Sequence, residues 1–481
     1  MMNRSIITYI LGWVIRLEGF FMLLPALVAL CYQEKAGWSY LLCSIICLIL
    51  GWIVVRKKPA NTIFYAREGF VTVALSWIIL SIIGALPLVI SQEIPSMTDA
   101  LFEIISGFTT TGASILADVE SLSHCNLLWR AFSHWIGGMG VLVFILAVLP
   151  LAGGQSMYIM KAESPGPSVG KLVPKLQKTA FFLYAVYFAM TLLLFIILII
   201  ARMPVFDALC TAFATAGTGG FGIKADSIAS YSPMIQGIIT LFMFLFGVNF
   251  NFYFFLFVRQ LKDAFKMEEV RWYFILFASS ALFIALNLTL TGNNHFIYNL
   301  HHAAFQVSTI MTTTGFATVD FNLWPSFSKG ILVLLMFVGA CAGSTGGGIK
   351  VSRFLIYFKA AKKELAHLIH PRSIKILRLD EKAIPHEVVR SANIFLVTYL
   401  AIFAGSILLI SLDNFDLVTT FTAVAATLNN IGPGLELVGP AGNFAMFSTF
   451  SKYVLMFDML AGRLEIFPML LLFSPATWRK H

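Results

Sequence analysis

Apolar residues come along this chain in long, nearly uninterrupted runs. About 20 consecutive apolar residues suffice for a helix to cross the hydrocarbon of a bilayer. By that measure 7–31 and 38–55 form a leading hairpin. Four later intervals each hold an outer pair: 70–91 with 127–152, 179–201 with 233–257, 272–291 with 328–356, and 391–412 with 450–473. The pattern predicts ten spans in an all-α integral membrane protein. The run at 6–31 exceeds the roughly 7–15 residues of a signal-peptide core, so it reads as a spanning helix and not as a cleaved leader.

Between the two spans of each outer pair lies a shorter, moderately apolar segment that ends in glycine and threonine. The four are MTDALFEIISGFTTTGAS (97–114), VFDALCTAFATAGTGGFG (205–222), NLHHAAFQVSTIMTTTGFAT (299–318) and FDLVTTFTAVAATLNNIGPG (415–434). Such segments are too short to cross and suit re-entrant helices. Gly112, Gly220, Gly315 and Gly432 recur at corresponding places, and Asp99 and Asp207 each precede their glycine by 13 positions. Four matched segments form an internal repeat. The predicted units are an N-terminal two-helix extension at 1–66 and repeats at 67–160, 161–265, 266–370 and 371–481, in a pseudo-fourfold arrangement.

Composition agrees with lipid as the main solvent: 58% of the 481 residues are hydrophobic and 12% charged, against about 25% charged in soluble domains. The net charge of +9 falls in clusters at 56–67, 161–178, 259–271, 350–390 and 479–480, with acids enriched between them. Lys and Arg favour cytoplasmic loops, so the clusters predict an inner-membrane protein with both termini cytoplasmic, and the charge marks no nucleic-acid partner. The longest cluster, from Lys350 to Arg390, reads as a solvated or lipid-headgroup-binding face. The six cysteines show no CxxC spacing and support neither disulfides nor zinc. His124, His134, His295, His301 and His302 are expected outside the membrane or at its interfaces, with no catalytic constellation, so no enzyme activity and no cofactor are expected.

In hydrocarbon every backbone polar group must be satisfied, and irregular backbone survives only inside protein or beside a watery cavity. Four glycine-bearing loops at one depth therefore imply a shared central cavity. A short helix entering from outside aims its negative C-terminal end inward. Extended residues such as Thr109–Thr111 and Thr312–Thr314 would then present carbonyl oxygens to the axis, in the manner of potassium pores that replace an ion's hydration shell. The competing reading is that Gly and Thr only pack helices closely.

Two further features stand in the later spans. GACAGSTGGG (339–348) places four glycines within six positions, Gly343, Gly346, Gly347 and Gly348. Each costs a helix about 1 kcal/mol relative to Ala, so a break is expected. Arg463 lies within the last span near Asp458 and Glu465. A charge at membrane depth usually faces a pathway or a partner, which leaves a barrier to cations or an ion pair with either acid. Asn249 and Asn251 are weaker candidates for pore lining, with hydrogen bonding between helices an equal alternative, and Lys224, just past the second loop, could point away from the entry and pair with Asp226.

The loops TTTGAS, GTGGFG, TTTGFA and NNIGPG, the block SHWIGGMGVLV (133–143) and MLAGRLEIFP (459–468) resemble the TrkH/TrkG/KtrB superfamily of bacterial potassium transporters over essentially the whole chain. The length and the leading hairpin make it more similar to the TrkH branch. The resemblance implies four helix–pore helix–helix units around one pore, with potassium as substrate. It implies potassium-binding filter residues at Thr110, Thr111 and Gly112; Thr218, Gly219 and Gly220; Thr313, Thr314 and Gly315; and Asn430, Ile431 and Gly432. Gly343, Ser344, Thr345, Gly346, Gly347 and Gly348 would form an intramembrane gating loop, with Arg463 beside it. A homodimer and a cytosolic nucleotide-binding regulatory subunit (TrkA-like) are also implied. The runner-up reading is a symport that couples potassium to protons or sodium, for which Asp458 and Glu465 are the late-span acids.

Overall fold

In the computed structural model, which describes residues 2–59, 65–140, 176–292, 295–372 and 376–479, the described parts of the long apolar runs are mainly helical. Among these residues the only strands are Arg378–Leu379 and Lys382–Ala383, paired antiparallel. Among the described residues six helices are long and apolar enough to cross a membrane: Arg4–Tyr32, Gly37–Val55, Ala66–Ile90, Ala180–Ile200, Glu268–Thr291 and His386–Asp413. The first two pack together as the predicted hairpin and lean on Ala66–Ile90 and His124–Met139.

The second span of each repeat departs from the straight helix expected. In repeat 2, Pro233–Phe246 and Phe250–Phe257 meet at 89° across Gly247–Asn249. In repeat 3, helix Ser326–Phe337 stops and helix Val351–Ile369 begins only after a 13-residue loop. In repeat 4, Thr449–Arg463 and Phe467–Phe473 flank a break at which Glu465 and Ile466 both have positive φ. In repeat 1 the helix ends at Met139, before Gly140 at φ +80°. The remainder of that predicted span (127–152), the end of the SHWIGGMGVLV block and the repeat boundary at 160 lie outside the described residues. The repeat 3 break was anticipated from its glycines; those in repeats 2 and 4 were read as continuous spans.

Four short helices point into the centre: Met97–Phe108, Val205–Gly217, Phe296–Met311 and Leu417–Leu428. Each packs between the two outer helices of its own repeat. Each also packs against the second helix of a neighbouring repeat. Met97–Phe108 meets Thr449–Arg463, Val205–Gly217 meets His124–Met139, Phe296–Met311 meets Pro233–Phe246, and Leu417–Leu428 meets Ser326–Phe337. Repeat 1 thus rests on repeat 4, 2 on 1, 3 on 2 and 4 on 3. The cycle closes, and the four re-entrant helices surround one axis.

Candidate functional site: four converging loops and the segment beneath them

Each re-entrant helix ends in the same way. Thr110, Thr218, Thr313 and Asn430 sit in the left-handed region at φ 53–57°. Their N–H groups donate three residues back, to Gly107, Thr215, Ile310 and Thr427, at 3.1–3.2 Å. The next N–H groups, of Thr111, Gly219, Thr314 and Ile431, donate five residues back, at 2.8–2.9 Å. This is the Schellman termination, with Thr or Asn where Gly is usual. The backbone is therefore turned at Thr109 and Thr110, and at Thr312 and Thr313, where extended residues were anticipated. A non-glycine residue in this conformation costs about 1–2 kcal/mol, so the surrounding packing must hold it there.

Two residues on, Gly112, Gly220, Gly315 and Gly432 have φ of +79°, +78°, +90° and +101°. The second loop keeps this spacing, with Thr218 left-handed and Gly220 at the equivalent glycine. A Cβ on Gly112 would collide with the carbonyl oxygen of Gly219, one on Gly220 with that of Thr314, and one on Gly315 with that of Ile431. A Cβ on Gly432 would come within 2.8 Å of Thr111 O. Each glycine therefore abuts the carbonyl that precedes the next loop's glycine, and the contacts run 1→2→3→4→1. The twelve predicted filter residues are brought together around one axis.

What holds each loop differs. Thr109 Oγ1 bonds Ile105 O at 2.6 Å and Thr111 Oγ1 at 2.8 Å, and Thr312 does the same with Ser308 O and Thr314. In loop 4, Asn429 Nδ2 donates to Ala425 O and Asn430 Nδ2 to Thr111 Oγ1 at 3.0 Å. In loop 2, Gly217 and Gly219 leave room for His134, which stands against both; its Nε2 accepts from Phe221 N–H and its Nδ1 lies 2.8 Å from Gly107 O. His134 is fully buried behind the filter, which corrects its expected place at an interface. Its signal was present: the glycines that replace threonine in loop 2 are the hole the imidazole fills.

Outside the ring opens a vestibule of about 130 Å³ bordered by all four loop glycines, room for several waters. Buried Arg130 and Glu103 pair at 2.7 Å, and the carboxylate also accepts from Ser114 and Ile115 N–H, so the pair braces loop 1. Lys224 borders the vestibule and lies over the Tyr231 ring, 4.2 Å from its centroid, donating to Ser230. Ser230 in turn donates to Asp226, so Lys224 and Asp226 are linked through a hydroxyl and not paired directly.

Inside the ring, the loop between Phe337 and Val351 rises to the filter. Its neck closes where Gly339 N–H donates to Ile349 O at 2.8 Å and Val351 N–H to Ala340 O. At its tip Gly347 N–H donates to Thr313 Oγ1 at 2.6 Å, and Gly347 backs onto Asn429 O. Gly343 O accepts from Phe250 N–H, Ser344 Oγ donates to Cys341 O, and Thr345 Oγ1 donates to Phe246 O. Gly346 abuts Thr312 O and Gly348 abuts Gly339. Of the six residues read as the gate, Gly346, Gly347 and Gly348 thus pack against loops 3 and 4, while Gly343 and Thr345 hold the segment to Phe250 and Phe246.

Arg463 bonds Thr345 O at 2.8 Å on one side and Gly137 and Gly138 carbonyls on the other, and so bridges the loop to repeat 1. The acids considered for it are engaged elsewhere: Glu465 pairs with Arg353, and Asp458 Oδ1 accepts from Ser406 at 2.7 Å. Asn249 does not serve as simple lining; it caps the following helix through Asn251 N–H and donates to Glu269. Sequence reasoning missed Glu269, which accepts from Ala342 N–H at 2.7 Å and Ser352 N–H at 3.1 Å, the two ends of the loop. It also misplaced Lys350 and Arg353, assigned to the solvated stretch; both are buried.

A helical membrane protein with four re-entrant loops ringed about one axis is, as a class, built to pass a small solute between its repeats. The chain belongs to the TrkH family of cation transport proteins, whose profile it matches over residues 40–480; it is a transport protein and not an enzyme. It is 38% identical over 492 residues to the Trk system potassium uptake protein TrkH of Salmonella typhimurium, with both chains fully covered. It is 37% identical over 490 residues to TrkH of Escherichia coli K12, again over the whole of each. The crystal structure of the potassium transporter TrkH from Vibrio parahaemolyticus superimposes with a TM-score of 0.89 at 34% identity, covering 100% of both chains.

Proposed function

We propose that this chain carries potassium into the cell across a bacterial inner membrane, both termini cytoplasmic, through a filter of main-chain carbonyls. The observation that carries this reading is the closed cycle in which each filter glycine abuts the carbonyl before the next. Carbonyls held this close can replace the water around a dehydrated monovalent cation. Thr111, Gly219, Thr314 and Ile431 supply the ring, and Thr110, Thr218, Thr313 and Asn430 set its geometry. The loop 343–348 and Arg463 form the gate below.

A regulatory signal must come from a partner. The family resemblance points to a cytosolic nucleotide-binding ring on a homodimer of this chain, docked on the basic cytoplasmic face among lipid headgroups. The second reading, symport, is favoured by one feature: Asp458 is fully buried, and its Oδ2 has no hydrogen-bond partner among the described residues. Isotope uptake into proteoliposomes separates the two. Potassium-driven rubidium uptake without a proton or sodium gradient is the expected result; dependence on either gradient would replace the channel reading with symport.

A further inference from the structure

We propose that Lys350 is a tethered cation that locks the intramembrane loop shut; this rests on the filter-and-loop reading above and adds a residue to it. Lys350 begins the basic stretch in sequence yet is only 1% exposed. Its side chain folds back over the loop it closes, and its Nζ donates to the carbonyls of Gly346 and Gly347, the latter at 2.9 Å. Arg463 occupies the preceding carbonyl, that of Thr345. Three consecutive carbonyls at the loop tip therefore each accept from a fixed positive charge.

An ammonium held by main-chain carbonyls is chemically the counterpart of a potassium ion held by them: a monovalent cation solvated by peptide dipoles. The tip lies directly under the filter, where Gly347 N–H donates to Thr313. A potassium ion leaving the filter would meet carbonyls that the protein has already filled. Nearby acids do not neutralise the amine by direct pairing, since Glu465 is paired with Arg353 and Glu269 accepts from Ala342 and Ser352. Opening then requires the Lys350 ammonium to leave Gly346 and Gly347. Arg463 alone would leave those two carbonyls vacant.

The test is rubidium uptake by the full chain in proteoliposomes, with sodium competition measured alongside. Lys350→Met should raise basal uptake severalfold while the preference for potassium over sodium stays that of the unaltered protein. Lys350→Gln, which keeps a donor for the carbonyls without the charge, should also raise it, and serves as the test if the Met variant does not fold. Unchanged or reduced uptake in a variant that melts as the unaltered protein does would overturn the proposal. If the unaltered protein itself shows no potassium preference, it is the filter reading that fails, whatever Lys350 does.

Discussion

At the residue scale the site depends on two unusual backbone states placed two positions apart. The glycine of each pair cannot be replaced cheaply: φ is positive and a Cβ has no room. Gly315→Ser should push against Ile431 O, widen the ring and lower potassium-over-sodium selectivity by about tenfold, a barrier difference of about 1.4 kcal/mol. Competition of sodium with rubidium uptake would measure it. The glycines were legible because their spacing recurs four times. The left-handed Thr and Asn residues were not, since nothing in TTTG distinguishes a turned threonine from an extended one. Lys350 was misread for a related reason: charge in a sequence signals exposure only where no carbonyl-rich loop folds back to receive it.

At the element scale, length and apolarity made the outer helices and re-entrant segments legible, while the broken second helices of repeats 2 and 4 were hidden. Gly247–Asn249 carries a single glycine and Leu464–Ile466 none, so neither break has the glycine cluster that marks repeat 3. The break in repeat 2 is held by Cys341 N–H donating to Gly247 O and by Asn249 donating to Glu269. Glu269 ties both ends of the loop between Phe337 and Val351 to that bend. Glu269→Ala would orphan two buried N–H groups at about 1–3 kcal/mol each. A lowered melting temperature and raised basal uptake are the expected outcome, measured on purified protein and in liposomes.

One re-entrant helix carries an exposed titratable carboxylate as its N-terminal cap. Asp416 caps the fourth, accepting from Thr419 N–H at 2.8 Å, and Thr419 hydrogen bonding holds its carboxyl below the usual range. A lowered folded-state pKa means stabilisation that is present at neutral pH and lost as pH falls through that value. Asp416→Ala should cost about 1 kcal/mol at pH 7. The difference in melting between variant and unaltered protein should shrink as pH falls below the ordinary aspartate value of about 3.9, at which the unfolded chain protonates first.

At the scale of the whole molecule, the cyclic packing of re-entrant helices on neighbouring repeats turns four weak sequence repeats into one ring. The matched segments made the fourfold plan legible. The order of neighbours was not, because no sequence position states that repeat 4 closes on repeat 1. That closure is carried by Lys452 on Asp99 at 2.6 Å and by Asn430 on Thr111, between residues more than 300 positions apart. The ring stands on those long-range contacts, and so would the ion selection proposed for it. Anomalous diffraction from crystals grown in thallium, a potassium surrogate, tests it most directly. The account predicts a peak on the axis, in coordination reach of Thr111, Gly219, Thr314 and Ile431 carbonyls together. Thallium bound elsewhere, with that ring empty in protein competent for uptake, would contradict it.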